Sequence, residues 1–285
     1  MFNSDVKDKS IKRLEDAVVD FNRALEDIKS ESESLYKTRL YASNELIISV
    51  ERYINRLANT PKEFDREFSE IRQSYEKFNH YVSDLKQSDS ASDLKIGGTA
   101  GAGVVIAAGV AALGPTAAIA LATTFGTAST GTAIAALSGA AATNAALAWL
   151  GGGALALGGG GMIAGKALLA LAGPVGWGIG AIVLVGGGFW YHSKNAQIAE
   201  EATERRIELE RYTHERRLVA MEIRGIADIT KTEIAGIETL LTELSQYAVT
   251  NYTSFDEDHK NQLLALINHT RVLGILLNKV PKVAK

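Results

Sequence analysis

From Ile96 to Trp190 the chain runs for 95 residues with one formally charged side chain, Lys166. Apolar surroundings penalise unpaired charge by several kcal/mol, so a run this free of charge suits either a very large core or a set of bilayer-embedded helices. It holds 24 of the 27 glycines, and most of the rest is Ala, Leu, Ile and Val. Pro115, Pro174 and the glycine clusters 151–153 and 158–161 divide it into four apolar helical pieces near 96–113, 116–148, 154–172 and 175–191. Each is close to or above the roughly 20 residues that cross a hydrocarbon core. Four crossings return the chain to the side it left, which places both charged arms on one face.

The arms read as long amphipathic helices. From about Asp5 to Ala58 the apolar positions Ile11, Leu14, Val18, Phe21, Leu25, Ile28, Leu35, Ile47, Val50, Ile54 and Leu57 step by threes and fours. The serine-rich stretch Ser30 to Ser34 is the weakest part and the expected place for a bend or break. Thr60-Pro61-Lys62-Glu63 has the pattern of a helix start, followed by the stripe Phe64, Phe68, Ile71, Tyr75, Phe78, Val82, Leu85. Beyond the aromatic pair Trp190-Tyr191, a second long helix is expected to run to about Val249. Its seam is Ile198, Leu209, Tyr212, Val219, Ile223, Ile226, Ile237, Leu240 and Leu244, interrupted by Arg205, Arg216 and Glu233. A capping box at Ser254 to Glu257 opens a last helix carrying Leu263, Leu266, Ile267, Leu273, Leu277 and Val280. The expected fold is all-α, an elongated bundle of long helices with an inserted Gly/Ala-rich apolar hairpin region. Its blocks are 1–93, 94–191 and 192–285.

Little of this composition suits catalysis. There is no cysteine, and the net charge of −3 with intermixed signs gives no basic stripe for a nucleic acid. Gly160 to Ala167 has the spacing of a phosphate-binding loop, but Ala167 stands where a Ser or Thr would hold magnesium, and no strand precedes it. Gly176-Trp-Gly178-Ile-Gly180 mimics a dinucleotide fingerprint without a βαβ context, so close helix packing explains it better. His80, His192, His214, His259 and His269 have no metal-ligand spacing. No enzyme activity, cofactor or metal is expected. The start of the chain lacks a basic region followed by an apolar one, which predicts a protein made in the cytoplasm without a signal peptide. It is then either convertible from a soluble to an inserted form or associated with the inner membrane.

Within the apolar run, Gly97 and Gly101, Gly161 and Gly165, and Gly176 and Gly180 are each four apart, and such small faces let helix backbones approach closely. Thr116, Thr123, Thr127 and Thr130 fall on one helical face as a candidate lining, although threonines in lipid also satisfy themselves against their own backbone. Lys166 belongs near an interface, against carbonyls or in a water-filled path. The expected membrane-inserting residues are Val104, Ile106, Val110, Leu155, Leu168, Ile179, Val183 and Trp190. Summing the apolar side chains of 96–113 gives roughly −2 to −4 kcal/mol of insertion free energy. Such a segment is marginal alone and suits conditional insertion.

Two long soluble helices around an apolar head, in a chain of this size, resemble the cytolysin A superfamily of α-helical pore-forming toxins. The likeness is one of layout and not of residue motifs. It implies a head sequestered in the soluble monomer that inserts as the long helices rearrange and oligomerise. The run Trp149 to Met162 is similar to glycine-rich membrane segments of bacterial proteins, and more distantly to apolipoprotein L. The expected partners are a lipid bilayer and either further copies of the chain or another helical protein. The alternative is a constitutively anchored coiled-coil scaffold or tether without a pore.

Overall fold

A computed structural model of the chain describes residues 2–90 and 195–281. These are all-α: among the described residues there is no strand, and β-type pairing is confined to a bridge between Ala58 and Asn251. The helices are α1 (Phe2–Tyr41), α2 (Ile47–Ile54), α3 (Lys62–Ser90), α4 (Asn195–Gln246) and α5 (Glu257–Leu277). A π-helical segment, Ala42–Leu46, joins α1 to α2, and a 3₁₀ turn, Tyr252–Ser254, precedes α5.

The serine-rich stretch does not break the first helix, which is continuous from Phe2 to Tyr41. Ser32 is fully buried, and the buried positions Ile28, Ser32, Leu35, Arg39, Ala42 and Leu46 keep alternating fours and threes through it. The irregularity comes later, where the seam takes two successive steps of four at Ala42, Leu46 and Val50. An extra residue there is absorbed by a wider turn, in which the Ile47 N–H donates to the Ala42 carbonyl five residues back.

Two other helix boundaries differ from the sequence reading. α3 opens at Lys62, one residue late, after Asn59 in the left-handed region at φ 59°. Its helix also continues through the polar residues to Ser90. The last helix is capped by Asp256 and not by Ser254, because Ser254 is used in the 3₁₀ turn that Asn251 caps. The Asp256 carboxylate accepts from the His259 backbone N–H at 2.8 Å and contacts its Nδ1 at 2.7 Å. Those contacts, the backbone one foremost, hold its pKa below the usual carboxylate range.

The described residues form two compact units. The first comprises 2–28 and 195–218. Here α1 and α4 run parallel, with Ser10 beside Thr203 and Asp20 beside Arg217. Leu14, Ala17 and Phe21 pack on Ala202, Leu209 and Tyr212.

The second unit, 29–90 with 219–281, is a four-stranded helical bundle. The Glu31–Arg224, Tyr41–Glu238 and Tyr53–Leu244 contacts set α1 and α2 parallel to α4. Arg72 pairs with Glu51, and Ser43 donates to Asn79, so α3 runs back along them. α5 likewise returns along α4, through Gln262–Glu243 and His269–Glu233. The core joins Val50, Phe78, Ile237, Leu244, Leu263 and Leu266. At the turn end the Ala58 N–H donates to the Thr250 carbonyl at 2.7 Å, and the Tyr252 N–H donates to the Ala58 carbonyl at 2.9 Å.

Two glycines of α4 make opposite predictions. A Cβ at Gly225 would meet open space, whereas one at Gly236 would lie 3.1 Å from the His269 ring. Gly225→Ala is expected to raise stability by about 0.5–1 kcal/mol through helix propensity alone. Gly236→Ala should gain less or lose stability, because the ring must move. Urea unfolding midpoints of the two variants compare them directly.

Candidate functional site

The residues that the sequence assigns to insertion, lining and helix packing, from Gly97 to Trp190, lie outside the described residues. That set includes Thr116, Thr123, Thr127, Thr130, Lys166 and the three glycine pairs. Leu85 and Leu25 also carry no described side chain. Among the described residues, the polar groups held inside the second unit form the candidate site.

Its centre is Arg39, which has no exposed surface and occupies a seam position between Leu35 and Ala42. An aliphatic side chain there would contribute about 1.5–3 kcal/mol by burial. A guanidinium instead costs several kcal/mol to desolvate unless polar groups meet it. Its Nη2 donates to the carbonyl of Lys279, just beyond the end of α5. One residue earlier, the Asn278 side-chain amide donates to the Ser74 carbonyl of α3 at 2.9 Å. The buried Pro281 ends the described segment. One turn after Arg39, the Ser43 hydroxyl of the π-helical segment donates to Asn79 Oδ1 of α3 at 2.7 Å.

Around this band lie two acid–base contacts. The Tyr41 hydroxyl donates to Glu238 at 2.6 Å, and that bond, more than burial, raises its pKa. His269 Nδ1 contacts Glu233 Oε2 at 2.6 Å, with the ring over Gly236. Glu233, the charged residue that interrupts the apolar seam of α4, faces α5 as a partner for the imidazole. Arg205 similarly leaves the seam for Glu201, at 3.2 Å. Arg216 alone of the three is buried, and desolvation lowers its pKa. In the first unit, an open groove is lined by Arg13, Asp16, Asp20, Arg206, Glu210 and His214; Arg206 pairs with Glu210, and Asp20 with Arg23 and Arg217.

No group of three His, Cys, Asp or Glu among the described residues could hold a metal ion. No helix among them is long and apolar enough to cross a membrane. The arrangement of Arg39, Asn278, Ser43, Tyr41 and His269 is chemically suited to holding helices in one register, since these polar contacts run between helices or between a helix and the residues just after α5. Arg39 is not legible from the apolar residues alone, because the large apolar seam positions on either side of it are Leu35 and Ile47. Stepping by fours and threes through Ser32, Leu35, Arg39 and Ala42 places it on the buried side. Compared with known proteins, the chain matches no family model, no curated protein and no solved structure.

Proposed function

We propose that this chain is a membrane-permeabilising helical protein, a toxin component or an intracellular depolarising effector. The carrying observation is the 95-residue run with a single charge, set in a chain whose described helices are amphipathic and pack on one another. In this reading 94–191 inserts as helical hairpins, while 1–93 and 192–285 form an elongated bundle that rearranges and drives oligomerisation. The cytolysin A-type layout supports the same division of labour.

The Thr116, Thr123, Thr127 and Thr130 face is the proposed lining. Protein prepared without detergent is expected to release dye from liposomes and to float with them. Thr123→Leu with Thr127→Leu should abolish release and leave flotation intact, because apolar side chains remove a water path but not lipid affinity. Flotation without release from the unaltered protein would favour the anchored scaffold. Neither would return the glycine-rich run to a closed interior.

A further inference from the structure

We propose that residues 278–281 form a latch on the second unit, with Arg39 as its bolt, and that opening this latch precedes insertion. The latch stands on geometry alone; its coupling to insertion rests on the permeabilising reading above. Four observations meet at this place. A wholly buried guanidinium of α1 donates to the Lys279 carbonyl, 240 positions away in sequence. Asn278 has a helix-capping backbone and a side chain that donates to the Ser74 carbonyl of α3. Gly274 places α5 directly beside α3, where a Cβ would lie in ordinary van der Waals contact, 3.6 Å from Ser74 Cβ. The π-helical segment, which also touches α3 through Ser43 and Asn79, begins three residues after Arg39.

A carbonyl beyond a helix end is an acceptor that the chain can withdraw at the cost of only the terminal backbone bonds, here those from the Asn278 and Lys279 N–H groups to the Ile275 and Leu276 carbonyls. Withdrawing it costs the guanidinium that partner, so opening is opposed strongly at one point and weakly elsewhere. The same few residues tie α5 to both α1 and α3, and α3 is the helix that leads into the apolar run. Undoing 278–281 therefore loosens α3 at Ser74 while leaving the rest of the bundle's apolar contacts in place. A π turn beside the bolt gives α1 a place to shift register once it is released.

The test is amide hydrogen exchange on the full chain, with dye release measured on the same samples. Arg39→Met and Asn278→Ala are each expected to raise exchange in the last two turns of α5 by about tenfold, with helical content unchanged. Ending the chain at Asn278 should do the same, and adding Arg39→Met to that chain should raise exchange by less than the two changes do separately, since both remove the bond between Arg39 and the Lys279 carbonyl. Asn278→Ala retains the buried arginine, so it stands even where Arg39→Met folds poorly. Unchanged exchange in Asn278→Ala and in the shortened chain, or additive effects of the two changes, overturns the latch. Faster dye release from the opened variants supports its coupling to insertion. If the unaltered protein releases dye and the opened variants do so no faster, the coupling is overturned. If exchange rises but no form releases dye, the permeabilising reading fails and the latch is upheld.

Discussion

Ile106→Lys is expected to abolish dye release while leaving the helical units folded. In the proposed insertion, the few large apolar side chains of 96–113 contribute roughly −2 to −4 kcal/mol. A lysine near its middle adds about 2.5–3.5 kcal/mol and removes the isoleucine's own favourable contribution of about 0.3–0.6 kcal/mol. The sum runs from about −1 to +2 kcal/mol, a change of about a hundredfold or more in the insertion equilibrium. Val19→Lys is the matched control, because Val19 is 57% exposed on α1 and its substitution should leave release unaltered. Release by Ile106→Lys at the level of the unaltered protein would mean that 96–113 does not enter hydrocarbon, and the proposed insertion would lose its first segment.

Leu266→Ala is expected to destabilise the second unit by about 2–5 kcal/mol, whereas Leu264→Ala, two positions away, should change stability by less than about 0.5 kcal/mol. Leu266 has no exposed surface and belongs to the core with Ile237 and Phe78, so truncation leaves a cavity among neighbours that relax only partly. Leu264 is 47% exposed on the same helix. Domains of ordinary stability have only about 5–15 kcal/mol in total, so the first change removes a large share of it. Denaturant unfolding of the two variants gives the comparison, and equal losses would contradict the bundle arrangement of α5.

Much of that arrangement is legible in helical periodicity. Leu263, Leu266, Ile267, Leu273 and Leu277 all prove buried, as do Phe64, Phe68, Ile71, Phe78 and Val82 on α3. Burial follows spacing here because each helix has one face toward its neighbours. Periodicity was less informative at its edges. Val280 lies past the end of α5 and is 36% exposed, and Ile198 and Leu240 are only half-buried. The charged positions also sorted in a way that the spacing did not reveal. Glu233 and Arg205 reach polar partners to the side, whereas Arg216 stays inside.

The threonines offer a related lesson about the proposed lining. Thr213, Thr230 and Thr270 are buried, and each donates its hydroxyl to the carbonyl four residues back, at 2.7–2.8 Å. A helical threonine therefore needs no water to be satisfied. For this reason the lining at Thr123 and Thr127 is tested by substitution and not argued from the hydroxyls alone.

The sequence by itself determined the all-helical class of the arms, the apolar faces of α1, α3, α4 and α5, and the single-charge run between the arms. Each follows from local order, because the 3.6-residue turn converts spacing into a face and desolvation excludes charge from an apolar run. Tertiary structure alone decided that α1 and α2 run parallel to α4 in the second unit, that a π turn absorbs the phase change at Ala42, and that Arg39 meets the carbonyl of Lys279. Those are relations between residues as many as 240 positions apart. No local period encodes them, because they depend on which helices pack together and in what register.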